Sequence, residues 1–297
     1  MCESCEIKTW ADFEKFRDDF LEETGEKEPN VAFRGQEDAD WKIESSMRRQ
    51  LKALKVIPDD DTELPETELE KARQRALKLE LESMQCFQTV SGHLNKAHPH
   101  EWIAWYAVMQ HYGGVSRSID WSRNPKVGLY FAVRGAPDKD GKLFALNLNS
   151  LENPVKAEHS KDPDKWFPDY RRKDGKLDFS AYHKALQGND KRIHWCTMRD
   201  NWIRIRTQHG WLLTCMDILL PFEKGMGNDG QPVAFKEAVI PAEAKPKLLA
   251  ELAIRGIDGS SLFSDTPERA GYRQKELVTI LESLQREAEE KKADTSC

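Results

Sequence analysis

The stretch Phe33-Arg34-Gly35-Gln36 constrains this chain more than any other. An apolar pair, Val31-Ala32, leads into it, and Trp41, Ser45-Ser46 and Arg48-Arg49 follow closely. Far downstream come Gln110-His111-Tyr112-Gly113-Gly114, Asp120-Trp121, Asn124-Pro125 and Gly128-Leu129-Tyr130-Phe131-Ala132. Arg, Gln, His, Asp and Asn in small-residue turns beside apolar runs describe a polar pocket on an apolar scaffold. Arg34 stands out, because a planar five-donor fork is the usual answer to phosphate or carboxylate. Blocks spread this widely point to a single elaborated α+β domain.

The periodicity supports that class. Thr9 is placed to cap a helix running to Glu22, with Trp10, Phe13, Phe16 and Phe20 on one stripe and Gly25 as its stop. Residues 29–34 read as a strand that delivers Arg34 at its end, and a helix begins at Ser45 or Ser46. A long helix is expected over 68–97 and an aromatic-rich one over 101–110. The stripe of Trp102, Trp105, Tyr106 and Met109 is either core or a base-stacking platform. Asn124 and Pro125 suit a cap and first turn, although the apolar run to Val133 also fits a strand. Strands are expected over 143–148, 211–215 and 233–240, an amphipathic turn at Trp202, Ile203 and Ile205, and helices over 244–254 and 268–292. Residues 149–192, dense in Lys, Asp and Arg, read as an insertion. The organisation expected is an N-terminal helix over 1–27, a main domain over 28–265, and a C-terminal helix and tail over 266–297.

Composition narrows the function classes. The net charge of -6 argues against wholesale electrostatic binding of nucleic acid, though not against a local basic groove. No run of 18 apolar residues occurs and the N-terminus lacks the pattern of a signal peptide, so a cytoplasmic protein without membrane association is expected. The six cysteines make no disulfide framework. Cys2 and Cys5 are either a frayed end or half of a zinc site completed by His194 and Cys196; no metal is expected. Gly225-Met226-Gly227-Asn228-Asp229-Gly230 satisfies a dinucleotide pattern, but it leads into a strand instead of a helix and reads as a hairpin turn. No P-loop, H-E-x-x-H or G-x-S-x-G occurs.

Four blocks resemble the FRG-domain family of bacteria and phages: Phe33-Arg34-Gly35-Gln36 with Trp41 and Arg48; Gln110 to Ala132; Arg204 to Gln208 with Gly210; and Ile240-Pro241 to Leu262-Phe263. The resemblance spans residues 28–265, with departures at Ser116-Arg117-Ser118-Ile119, where threonine and leucines are usual, and at Ser264-Asp265. At a distance it implies the ADP-ribosyltransferase fold: a mixed central sheet flanked by several helices. It implies NAD as substrate, a nucleic-acid or protein acceptor, and a toxin or antiviral defence role; the rival is a catalytically inactive nucleotide- or nucleic-acid-binding module.

Each candidate residue has two readings. Arg34 with Gly35 and Gln36 clamps a pyrophosphate, or Arg34 is a buried arginine pinned by a carboxylate such as Asp120. His111 is a ligand or a helix cap, and Gln208 orients a ribose hydroxyl or satisfies backbone. The resemblance gives Tyr130 a stacking role on nicotinamide and Glu237, on a late strand, the catalytic role of stabilising an oxocarbenium-like ribose. Alternation alone also explains Glu237 as the solvent face of a strand, with Asp120 the next catalytic carboxylate. The basic, aromatic stretch 191–206 either holds a single strand of nucleic acid or packs Trp195 and Trp202 inward.

Overall fold

The computed structural model describes residues 5–25, 30–91, 102–151, 184–196, 203–226 and 233–263. Seven strands form one mixed sheet: β1 (Cys5–Glu6), β2 (Val31–Gln36), β3 (Ser118–Ser122), β4 (Gly141–Asn147), β5 (Ile193–Cys196), β6 (Gly210–Cys215) and β7 (Phe235–Ile240), in the order β1-β7-β4-β2-β3-β6-β5. Among the described strands only the β1–β7 pair is parallel. The fold is α+β.

Local chemistry explains the helices. In α1 (Trp10–Thr24) Thr9 accepts from the Asp12 amide while the Asp12 carboxylate accepts from the Thr9 amide at 2.8 Å, a reciprocal capping box. Phe13, Phe16 and Phe20 are buried, and Gly25 at φ 62° ends the helix. Ser45 caps α2 (Ser46–Ala53); α3 (Glu66–Ser91) and α4 (Trp102–His111) follow. At α5 (Pro125–Val133) the ambiguity between helix and strand resolves as helix, because Asn124 accepts from the Lys126 amide and Pro125 presets the first turn. Further on lie α6 (Ile203–Thr207), α7 (Phe222–Gly225), α8 (Lys245–Ile254) and α9 (Gly259–Leu262).

One sheet face, through Val31, Phe33, Leu143, Ala145, Ala238 and Ile240, packs on α1, α5 and α8. The other buries Ala32, Ile119, Trp121, Phe144, Leu146, Trp211 and Leu213. The α5 helix lies unusually close to β2. A Cβ at Gly35 would sit 2.0 Å from the Gly128 carbonyl oxygen, so glycine is required there by packing. The departure at Ser116–Ile119 has its own cause: Arg117 is 2 % exposed, paired with Glu80 of α3, and donates to the Leu186 and Met216 carbonyls at 3.0 and 2.7 Å.

Several expected elements fall on residues outside the description: the far end of the long helix, most of the 149–192 insertion, the glycine-rich 227–230 stretch and the C-terminal helix. Among the described residues no helix is long and apolar enough to cross a membrane.

Candidate functional site

The sheet has a weak seam. Strand β2 pairs with β4 along its whole length, Val31 with Asn147 through Gln36 with Lys142, but with β3 only at Phe33 and Ser122. Past that pair the two strands part. A cleft of about 750 Å³ opens along the seam, lined from the β2 side by Arg34, Gly35 and Gln36 and from the β3–β6 side by Asp120, Trp121, Gln208 and Trp211. That volume is in the range of small-molecule sites.

Arg34 spans the seam. Its Nη1 donates to the Asp120 carbonyl at 2.6 Å, while its buried Nε makes no hydrogen bond. Burial pushes the guanidinium below its usual pKa, Asp120 pulls it up, and Arg49 pushes it down again. Arg49 lines the same cleft and donates to the Glu44 carbonyl at 2.7 Å. Among the described residues neither arginine forms an ion pair with a carboxylate. Every other cation of the lining does: Lys42 with Asp61 at 2.6 Å, Lys52 with Glu44 at 2.7 Å, Arg134 with Glu37 at 2.9 Å. Two guanidinium groups left to repel each other in one cleft are an arrangement that an anion relieves.

The Asp120 carboxylate accepts from Gln110 Nε2 at 3.2 Å, and the Gln110 carbonyl in turn receives the Ser116 hydroxyl at 3.4 Å. Gln208 lines the cleft with its main-chain carbonyl held by the Ser122 hydroxyl at 2.6 Å, and its Nε2 donates to the Leu262 carbonyl at 3.1 Å. One hydrogen of its amide is thus committed to the backbone of α9.

Two expected residues lie elsewhere. Tyr130 is fully buried in the α5 core and does not line the cleft; the helix turns it inward and presents its neighbour Phe131 instead. Phe131 is framed by the Arg134 guanidinium at 5.1 Å and by Phe263 edge-on at 6.1 Å. Glu237 faces Phe144, which faces Arg34, so the two share a sheet face but stand two strands apart, about 10 Å by strand spacing. Its side chain is half exposed, pairs with Lys142 at 3.3 Å and is outside the lining. His111 ends α4, and its side chain lies outside the described residues.

Of the basic stretch, Trp195 packs edge-on against Trp211 at 4.6 Å, which favours the inward reading there; Trp202 is outside the described residues. Cys2 is also outside them, and among the described residues no group of three His, Cys, Asp or Glu side chains is gathered for a metal. The sequence reading named Arg49, Trp41 and Phe131 only as neighbours of other residues. The adjacent Arg48 is buried in ion pairs with Glu44 and Asp61, and nothing in the pair Arg48-Arg49 tells which side chain faces the cleft.

In a comparison with protein families, residues 29–141 match the FRG domain. Comparison with curated proteins and with solved structures yields no match.

Proposed function

We propose that the cleft of this chain, whose residues 29–141 match the FRG domain, binds the diphosphate of NAD and serves ADP-ribosyl transfer to a nucleic-acid or protein acceptor. The observation that carries the reading is the pair Arg34 and Arg49, two cleft arginines that among the described residues make no ion-pair contact with a carboxylate, although the Asp120 charge acts on Arg34, beside the aromatic Phe131 and Trp41. Bidentate guanidinium groups suit a diphosphate, and the ligand would reach the buried Nε of Arg34 that the fold leaves unmatched.

In the reaction the bond from the ribose C1′ to nicotinamide breaks and its electron pair cancels the ring's positive charge. The cationic C1′ is then captured by a lone pair of the acceptor, which releases its proton. A carboxylate beside C1′ stabilises that cation. Asp120 lines the cleft and takes this role ahead of Glu237. An enzyme that consumes NAD harms a cell in which it runs unchecked, which is the basis for a toxin or defence role.

A second reading is a nucleotide-binding module without chemistry. It is favoured by the pairing of Glu37, Glu44 and Asp59 with Arg134, Lys52 and Lys55, which leaves few lining carboxylates for catalysis. Nicotinamide release by the purified chain, with nucleic acid and cell lysate offered as acceptors, separates the two. The enzyme reading expects release by the wild type, a loss of roughly 100- to 1000-fold in Asp120→Asn, and near-normal release in Glu237→Gln. Binding of NAD without any release would leave only the module.

A further inference from the structure

The cleft carries a second chemistry beside its arginines. Trp41 lines it with 53 % of its surface exposed, on a turn held at several points. The Trp41 amide donates to the Asp38 carbonyl at 3.2 Å, the Asp40 amide to the Asp38 carboxylate at 3.0 Å, and the Ala39 amide to the Asp140 carbonyl at 2.7 Å. On the far side Lys42 is fixed twice: its ammonium pairs with Asp61, and its carbonyl accepts from Gln36 Nε2 at 3.0 Å. An indole displayed on an anchored turn offers a large flat contact at little entropic cost.

Gln36 lines the cleft, is 5 % exposed, and is tied to the same turn. Its bond to a carbonyl settles which end of the amide is nitrogen, since oxygen facing oxygen would repel. Oε1 is therefore a buried acceptor, and it has no hydrogen-bond partner. A buried acceptor left unmade is unfavourable, and a ligand that brings a donor removes the penalty. Gln36 and Arg34 alternate on β2 and share a face, their roots about 7 Å apart. The acceptor and the anion site are thus neighbours and do not coincide.

We infer that Trp41 and Gln36 form a ring subsite for the base of an adenine nucleotide, the indole stacking on the purine and Gln36 Oε1 accepting from its exocyclic amino group, while Arg34 and Arg49 hold the phosphates. This rests on the nucleotide reading above. Adenine is selected because the unmatched atom of Gln36 is an acceptor: Oε1 has no partner, whereas one hydrogen of Nε2 already bonds the Lys42 carbonyl and turns that end of the amide towards the turn. Hypoxanthine, guanine and uracil present a carbonyl at the corresponding edge, which meets Oε1 as a second acceptor. A purine also covers more of the indole than cytosine does.

Calorimetric titration of the full chain with inorganic pyrophosphate, ADP and inosine diphosphate, at one salt concentration, tests the assignment. Pyrophosphate should bind, and ADP should bind about tenfold tighter than inosine diphosphate, the worth of one hydrogen bond to a buried acceptor. Trp41→Ala should weaken both nucleotides by roughly five- to a hundredfold and leave pyrophosphate unchanged. Gln36→Met should equalise the two nucleotides, with a melting curve read beside it because Gln36 also anchors the Lys42 turn; the exposed Trp41 tests the subsite without that complication. Equal affinity for ADP and inosine diphosphate in the wild type, or no effect of Trp41→Ala, overturns the ring subsite while pyrophosphate binding leaves the anion site standing. If pyrophosphate fails to bind as well, both the subsite and the nucleotide reading fall.

Discussion

Replacing Gly35 by alanine should break the junction on which the cleft is built. The new Cβ would meet three backbone atoms of α5: the Gly128 oxygen at 2.0 Å, the Ala132 nitrogen at 2.4 Å and the Phe131 carbonyl carbon at 2.8 Å. Ordinary contact lies near 3.5 Å, so the helix must retreat by more than about 1 Å. Backbone cannot rotate aside as a side chain can. The retreat would also unseat Gly128, where an added Cβ already falls 2.9 Å from Phe33 Cβ, and the buried Val127, Leu129 and Tyr130 with it. Overpacking of a core costs about 1–3 kcal/mol, and a clash against main chain belongs at or above the top of that range. At roughly 2–4 °C per kcal/mol, Gly35→Ala should melt about 6–12 °C below wild type, or fail to fold. Gly113→Ala is the control. Gly113 has φ 76° and nothing within 4 Å of its Cβ position, so it should lose only the dihedral term, about 1–2 kcal/mol. Circular-dichroism melts of both variants decide the matter. A Gly35→Ala protein melting within about 2 °C of wild type, or above Gly113→Ala, would refute the packing argument and return Gly35 to a role at the ligand.

Two further outcomes follow from buried and paired charge. Arg117→Met should cost about 3–5 kcal/mol by stranding the buried Glu80 carboxylate, and Glu80→Met with Arg117→Met should recover most of it, read by urea denaturation; equal losses in both would refute the pairing. Partial burial raises the Asp61 pKa, but hydrogen bonds from Lys42, Lys52 and Arg48 outweigh it and hold the carboxyl far below its usual range. A folded-state pKa lowered in this way adds stability that is present in full above about pH 4, the unfolded value, and is lost progressively as pH falls from there through the much lower folded value, because the unfolded state takes up the proton first. Melting temperatures between pH 5 and pH 2.5 should therefore fall less steeply in Asp61→Asn than in wild type, and identical slopes would exclude the linkage.

Much of the fold can be read from local chemistry. The Thr9 cap with its phenylalanine stripe, the Ser45 cap, and Asn124-Pro125 each act within a few residues, and each sits at the start of a helix. Strand β3 is harder to read. Ile119 and Trp121 do alternate with Ser118, Asp120 and Ser122, but five residues among helical neighbours give a weak period. Arg34, Gly35, Gln36, Asp120 and Gln208 line one cleft, although Arg34 and Asp120 stand inside β2 and β3 and not at strand ends as expected. Tyr130 and Phe131 show where reading from residue types stops. Which of two adjacent aromatics faces the cleft depends on the rotation of α5, and that rotation is set by Gly35 meeting Gly128 across nearly a hundred residues of sequence. Charge pairing is equally non-local: Lys42, Lys52 and Arg134 resemble Arg34 and Arg49 as free cations until their partners Asp61, Glu44 and Glu37 are placed.

The central claim is that Arg34 and Arg49 hold the diphosphate of NAD. Calorimetric titration of NAD into wild type and Arg34→Lys tests it most directly. Lysine keeps the charge and can still reach for the Asp120 carbonyl, so the fold should survive, with a melting temperature near that of wild type. It loses the two-pronged geometry, so affinity should fall by more than about tenfold from the one-site binding of the wild type. A wild-type protein that binds no NAD, or an Arg34→Lys protein that binds it as tightly as wild type, would contradict the account.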